Sequence, residues 1–238
     1  MRALFIQQDH TSPTGPIGEQ FVNRGFDVDE FLVVPELIFP SPHVDVVFPD
    51  PLDYDVIVPM GAIWGVYQQD EVAWIRDELE LLRTAHENDV ALFGICFGGQ
   101  SVAAALGGTV YIAEQSEIGW YEVQSDRPEL IEPGPWFEWH QDRWTPPPGA
   151  NTIARTDAAD QAFVVGRALA LQFHPELTPS ALTGWLDNGG SKYLTEHGFD
   201  VDRLIEQTET TKVQAAERAR NLVDRFLDHV AFPAGVNH

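Results

Sequence analysis

Residues 90–95 read Val-Ala-Leu-Phe-Gly-Ile, an unbroken apolar run that ends at Cys96 and is followed closely by paired glycines. A strand with no polar face must be covered on both sides, as central strands of parallel sheets are. Residues 98–106 read as a helix closed by Gly107 and Gly108. A parallel strand needs a crossover to reach its neighbour, and the crossover is usually a helix. The run therefore commits the chain to an α/β architecture.

The rest of the first half repeats this rhythm. Strands are predicted at 3–6, 27–34 and 54–60, and a short helix at 15–24. A further helix is predicted from Asp70, with Asp70 as N-cap and Glu71 in the first turn. Val72, Ile75, Leu79 and Leu82 fall on one face at spacings of three and four. Residues 35–51, dense in proline, read as a loop. The expectation is a mostly parallel central sheet flanked by helices on both faces.

After Gly108 the strand candidates shorten, to 109–112, 119–124, 161–165 and 168–173, with a loop rich in proline and tryptophan over 128–148. Helix returns at Pro179. An amphipathic segment over 213–230 is expected to dock Ala216, Leu222, Val223, Phe226 and Val230 on the sheet. The division expected is a catalytic domain over 1–190 and a helical extension over 191–238 packed on the same domain.

Composition narrows the partners. Acidic residues outnumber basic ones by 37 to 14, a formal charge of −23, which repels phosphate backbones and anionic lipids. Neither nucleic acid nor membrane is an expected partner, and no apolar run approaches the ~20 residues of a membrane span. With Cys96 as the single cysteine, no internal disulfide can form, and a cytoplasmic setting is expected.

The single cysteine is also the best candidate for chemistry. Gly94-Ile-Cys96-Phe-Gly98-Gly99-Gln100 places a thiol on a sharp strand-to-helix turn, where flanking side chains would crowd the backbone. The helix N-terminus favours a thiolate, and the N–H of Phe97 can point at a developing oxyanion. The plain alternative is a buried structural thiol. A second element, Phe173-His174-Pro175-Glu176, ends the predicted strand at 168–173. There His174 can serve as base and Glu176 can fix its tautomer.

Together, the elbow and the stretch Gln172–Glu176 resemble the class I glutamine amidotransferase family, most of all its free-standing members related to the glutaminase domain of GMP synthase. The resemblance implies a flavodoxin-like single domain with Cys96 as nucleophile, His174 as general base and then acid, and Glu176 as orienting carboxylate. It implies no metal and no cofactor. Met60-Gly61-Ala62-Ile63 falls where relatives carry Gly-Gly-Pro, so Gly61, Ala62 and Phe97 are implied to form the oxyanion hole. Alanine resists positive φ, and the Gly61–Ala62 peptide is expected to be turned away until a partner or a better-fitting substrate resets it. Gln100 matches a residue that holds the substrate's amino-acid end. Trp139, His140, Gln141 and Asp142 match a Trp-His-Gly-Asp stretch that contacts substrate, with Gln141 in place of glycine. His140 and Asp142 read equally as a hydrogen-bonded structural pair.

Trp120, Trp136, Trp139 and Trp144 cluster beside these segments, and Trp64 and Tyr67 follow the oxyanion loop. Ordinary packing is the expectation, with an aromatic wall at the mouth of the site as the sharper alternative. The activity implied is hydrolysis of the γ-amide of glutamine, with ammonia passed to a separate synthetase. Hydrolysis of γ-glutamylated amines, including aromatic ones, is the second reading. A non-catalytic relative is the third.

Overall fold

The computed structural model describes residues 1–233. A nine-stranded sheet runs through it in the order β2-β1-β3-β4-β9-β8-β7-β5-β6. The strands are β1 (Arg2–Asp9), β2 (Asp27–Val34), β3 (Val56–Pro59), β4 (Ala91–Ile95), β5 (Thr109–Ser125), β6 (Gly134–Thr145), β7 (Asn151–Arg155), β8 (Asp160–Val165) and β9 (Ala168–Leu171). All pairings from β2 to β9 are parallel, and those from β9 through β6 are antiparallel. The molecule is thus a mixed α/β domain, a parallel half joined along β9 to an antiparallel wing.

Side-chain alternation in the parallel strands feeds two cores. Ala3, Phe5, Val56, Val58, Ala91 and Phe93 face one side, under α1 (Gly15–Asn23) and α6 (Val201–Phe226). Leu4, Ile6, Ile57 and Leu92 face the other, under α2 (Ala73–Glu87) and α3 (Phe97–Ala105). Both faces being apolar, these strands could only read as continuous runs. A third cluster, including Ile118, Phe137, Leu182 and Leu204, lies beneath α4 (Pro179–Trp185), α5 (Ser191–Glu196) and the start of α6. Among the described residues no helix is long and apolar enough to cross a membrane.

Several boundaries differ from expectation for identifiable reasons. Helix α2 starts at Ala73 with Val72 as N-cap, because Val66–Asp70 forms a 3-10 turn instead. There the Gln68 carbonyl takes the N–H groups of Glu71 and Val72, so Asp70 caps nothing. The supposed loop at 128–148 holds β6, whose strand pattern was masked by the prolines around it. The predicted strands at 109–112 and 119–124 are one strand, β5, interrupted by a register shift between Ile112 and Glu117. Strand β7 is not among the expected strands, being short with only Ile153 and Ala154 buried. Helix α6 begins at Val201, capped by Asp200, whose side chain accepts from the Arg203 N–H at 3.0 Å. Its docked face uses Ala215, Ala219, Leu222, Val223 and Phe226; Ala216 is only half-buried. Residues 234–238 of the expected extension lie outside the described residues.

Candidate active site

Cys96 sits between β4 and α3 with φ 50° and ψ −107°, a backbone conformation that L side chains seldom adopt. Such strain costs ~1–3 kcal/mol and persists only where the surroundings enforce it. Here the Cys96 N–H donates to the Leu171 carbonyl at 2.8 Å, and the Gly98 N–H to Met60 at 2.9 Å. Any side chain on Gly98 would drive into the Pro59 carbonyl, so α3 can approach β3 only at glycine. The turn aims the thiol at the C-terminal edge of the parallel sheet, the usual ligand edge of such folds.

His174 follows β9, anchored by its N–H donating to the Phe137 carbonyl at 2.8 Å. Its Nδ1 lies 2.8 Å from Glu176 Oε1, and both side chains are buried. A carboxylate facing Nδ1 puts the proton there and leaves Nε2 for chemistry. That nitrogen has no hydrogen-bond partner among the described residues. Burial alone would push His174 down, but the charges of Cys96 and Glu176 raise it well above the ordinary histidine range. Gln172 joins the group with its Nε2 3.8 Å from the Cys96 sulfur. Gln100, on α3, donates to Gln172 Oε1 at 3.3 Å.

The loop after β3 brings Gly61 beside the imidazole: an added Cβ would lie 3.0 Å from His174 Cε1. Ser12 Oγ donates to the Gly61 carbonyl at 2.9 Å and so fixes one end of the Gly61–Ala62 peptide. Ala62 stays out of the positive-φ region, which only Asp89 and Cys96 enter among the described non-glycine residues. Neither the Ala62 nor the Phe97 N–H finds an acceptor among the described residues.

These groups line an open cleft of about 510 Å³, and Gly61, Ala62, Phe97, Gln100 and residues 139–142 all reach it. Their side chains part company, however. Gln141 reaches back to donate to the Ala113 carbonyl at 2.9 Å, across the β5 irregularity. His140 bonds the backbone carbonyl of Asp142 rather than its carboxyl. Burial, opposed by His140 and Tyr67, raises the Asp142 carboxyl to about 6. Of the clustered tryptophans, Trp136 stacks on Phe173, Trp144 meets Phe163 and Trp120 meets Phe137, all as packing. Of these four only Trp139 lines the cleft, as Trp64 and Tyr67 also do.

A family model, glutamine amidotransferase class-I, matches residues 63–191, more than half of the chain. The chain belongs to the class I glutamine amidotransferase family. This is a family of cysteine-dependent amidohydrolases, and the matched segment of this chain carries both Cys96 and His174. It is 36% identical over 122 residues to a GMP synthase [glutamine-hydrolyzing] of Thermus thermophilus, covering 44% of this chain and 24% of that one. Over 72 residues it is 33% identical to a glutamine amidotransferase-like protein of Gibberella zeae, covering 29% and 30% of the two chains. The matches thus span about a quarter to a third of these relatives' lengths. The fold is that of a glutamine amidotransferase from Thermotoga maritima, with a TM-score of 0.83 at 24% identity over 96% of this chain and 98% of that one. A glutamine amidotransferase from Methylobacillus flagellatus gives 0.79 at 21% identity, covering 100% and 98%.

Sequence reasoning missed several groups at this candidate site. Trp185 sets its ring 4.9 Å from that of His174 and donates its indole N–H to the Thr11 carbonyl at 2.7 Å. It lies in a helix outside either motif, so nothing local marked it. Asp9 and Ser12 also line the cleft, and a polar residue at the end of β1 was the one available hint.

Proposed function

We propose that this protein hydrolyses the γ-amide of glutamine through a thioester on Cys96 and supplies the ammonia to a separate synthetase. The observation that carries the reading is the Glu176–His174 pair at 2.8 Å, with its free Nε2 facing the cleft that Cys96 lines at the N-terminus of α3. The thiolate attacks the γ-carbonyl carbon, and the carbonyl π electrons move onto oxygen. Phe97 N–H and Ala62 N–H are the donors available to that oxyanion. His174 delivers its Nε2 proton to the amide nitrogen as the C–N bond breaks and ammonia leaves. The neutral imidazole then takes a proton from water as it attacks the thioester, and the collapsing intermediate returns glutamate and the thiolate. In this reading Gln100 holds the amino-acid end of the substrate and the backbone of residues 139–142 contacts it, which is supported by their lining the cleft.

A second reading is favoured by the size of the cleft. At about 510 Å³, with Trp64, Tyr67, Trp139 and Trp185 on its walls, it falls in the range of sites for ligands larger than glutamine. A γ-glutamyl amide of a bulky amine would undergo the same chemistry with a different leaving group. Ammonia release from glutamine, compared with amine release from γ-glutamyl anilides, decides between the two. Cys96→Ala is expected to abolish both reactions, and turnover by that variant at the wild-type rate would refute the mechanism.

A further inference from the structure

Gln172 has no part in the reaction as set out above, yet the fold delivers it to the sulfur. In the parallel pairing of β4 with β9, Gly94 lies beside Ala170 and Ile95 beside Leu171, so Cys96 and Gln172 come next at the ends of adjacent strands. Such strands run about 4.8 Å apart, which brings side chains at their ends within reach of each other. Backbone bonds lock both positions. The Cys96 N–H donates to the Leu171 carbonyl at 2.8 Å, and the Gln172 N–H to the Gln161 carbonyl at 2.9 Å.

Gln172 is wholly buried and stands outside the cleft walls, which Cys96 and Gln100 do line. It therefore meets the sulfur from inside the protein. Its Nε2 lies 3.8 Å from that sulfur and finds no other acceptor among the described residues. Its Oε1 accepts from Gln100 Nε2 at 3.3 Å. A thiolate only accepts, so it selects the amide orientation that turns nitrogen toward it and leaves oxygen for Gln100. A second buried cluster sets His140 Nε2 3.3 Å from Glu117 Oε2 and 3.4 Å from Glu138 Oε2. That cluster is served by the Gln161 side chain, which donates to Glu117 at 3.0 Å, and it takes nothing from Gln172.

We propose that Gln172 is a positioning residue for the nucleophile, its side-chain N–H holding the Cys96 sulfur in the one rotamer that faces the cleft. It touches no substrate and transfers no proton. The inference rests on Cys96 being the nucleophile. A cysteine side chain has three staggered positions about its Cα–Cβ bond. Gln172 is the one side chain aligned to hydrogen-bond the sulfur among the described residues. The contact binds both partners, since a buried amide N–H without an acceptor is disfavoured. Gln100 completes the tether by fixing the far side of the amide. An attacking atom misplaced by about 1 Å loses about a hundredfold in rate, so one hydrogen bond that fixes a rotamer has a kinetic signature.

Two measurements on the whole chain test this. The first is inactivation by a chloroketone carrying the α-amino-acid end of glutamine, in which the Cys96 sulfur displaces chloride from the CH₂Cl carbon. Gln172→Met keeps the length of the side chain and removes the donor. It is expected to lower the limiting inactivation rate by about tenfold to a hundredfold, with the half-saturating concentration within about threefold of wild type. An unchanged limiting rate overturns the proposal. So does an effect confined to half-saturation, which would mean that Gln172 serves only to hold Gln100 for the ligand. The second measurement is the nitrogen-15 spectrum of the Gln172 side-chain amide, assigned from its own backbone amide. In Cys96→Ala one of its protons should move upfield and exchange faster with water. Identical amide signals in wild type and Cys96→Ala overturn the proposal, even if Gln172→Met does not fold. The hydrolase reading is judged separately: it requires wild type to be saturated by the chloroketone, whereas the amide spectra report the hydrogen bond without any ligand.

Discussion

At the scale of single residues, the candidate site was legible because it depends on short strings. Gly98 is glycine because Pro59 leaves no room, and the Cys96 turn exists because β4 and α3 meet there. His174 and Glu176 are two residues apart, so their 2.8 Å contact could be anticipated from the chain alone. Glu176→Gln is expected to lower turnover by ~10²–10⁴-fold, less than loss of the sulfur, since an amide keeps a hydrogen bond but not the charge. Steady-state kinetics on the two variants checks the order. Ala62 poses a finer question. Its φ is not positive, and Ser12 holds the preceding carbonyl, so the orientation of this peptide has two owners. If the peptide is turned away, Ala62→Gly should gain turnover of glutamine, up to the ~10²–10³ that one oxyanion donor provides. An unchanged rate with good wild-type activity would mean that the loop is already competent. The Glu117–Glu138–His140 cluster was not legible, because Glu117 and His140 meet only through a strand pairing hidden by the irregularity at 113–116.

At the scale of elements, the parallel half announced itself and the wing did not. Strand β4 is apolar on both faces and could be nothing else, whereas β6 alternates and is bracketed by prolines that signal loop. The expected face of α6 holds at Leu222, Val223 and Phe226 and differs only at Ala216, because Ala215 and Ala216 are indistinguishable without knowledge of what they face. The helix is held mainly by burial. Phe226 meets Phe93 with ring centroids 4.8 Å apart, while the Arg24 pairs to Asp224 and Asp228 are partly exposed and contribute at most about 1 kcal/mol each. Phe226→Ala is therefore expected to destabilise the fold by ~3–5 kcal/mol in urea unfolding. Removing both aspartates should cost far less.

At the scale of the whole molecule, several buried acids hold their protons more tightly than they would in the unfolded chain. Glu78 is the clearest: fully buried, given one hydrogen bond by Gln8 at 3.0 Å, and raised by burial from 4.5 to about 8. A raised acid stabilises the fold fully below its unfolded value, and that stability is lost as pH climbs through the folded one. Glu138, near 7, has the same sign, and the formal charge of −23 adds repulsion in the same direction. Stability is expected to fall from about pH 4.5 to about pH 8, and Glu78→Gln, which keeps the bond to Gln8, should flatten that slope in urea titrations at several pH values.

The seam between the parallel half and the antiparallel wing has a consequence for inheritance. The thiol, the imidazole and its carboxylate hang from the ends of β4 and β9, whereas Ile118 and residues 139–142 come from the β5–β6 hairpin. Under the proposed function, reaction and taste are written in separate stretches of the gene. On that proposal, drift or exchange confined to the hairpin would move the molecule from one γ-glutamyl compound to another while leaving the proposed machinery for breaking the amide untouched.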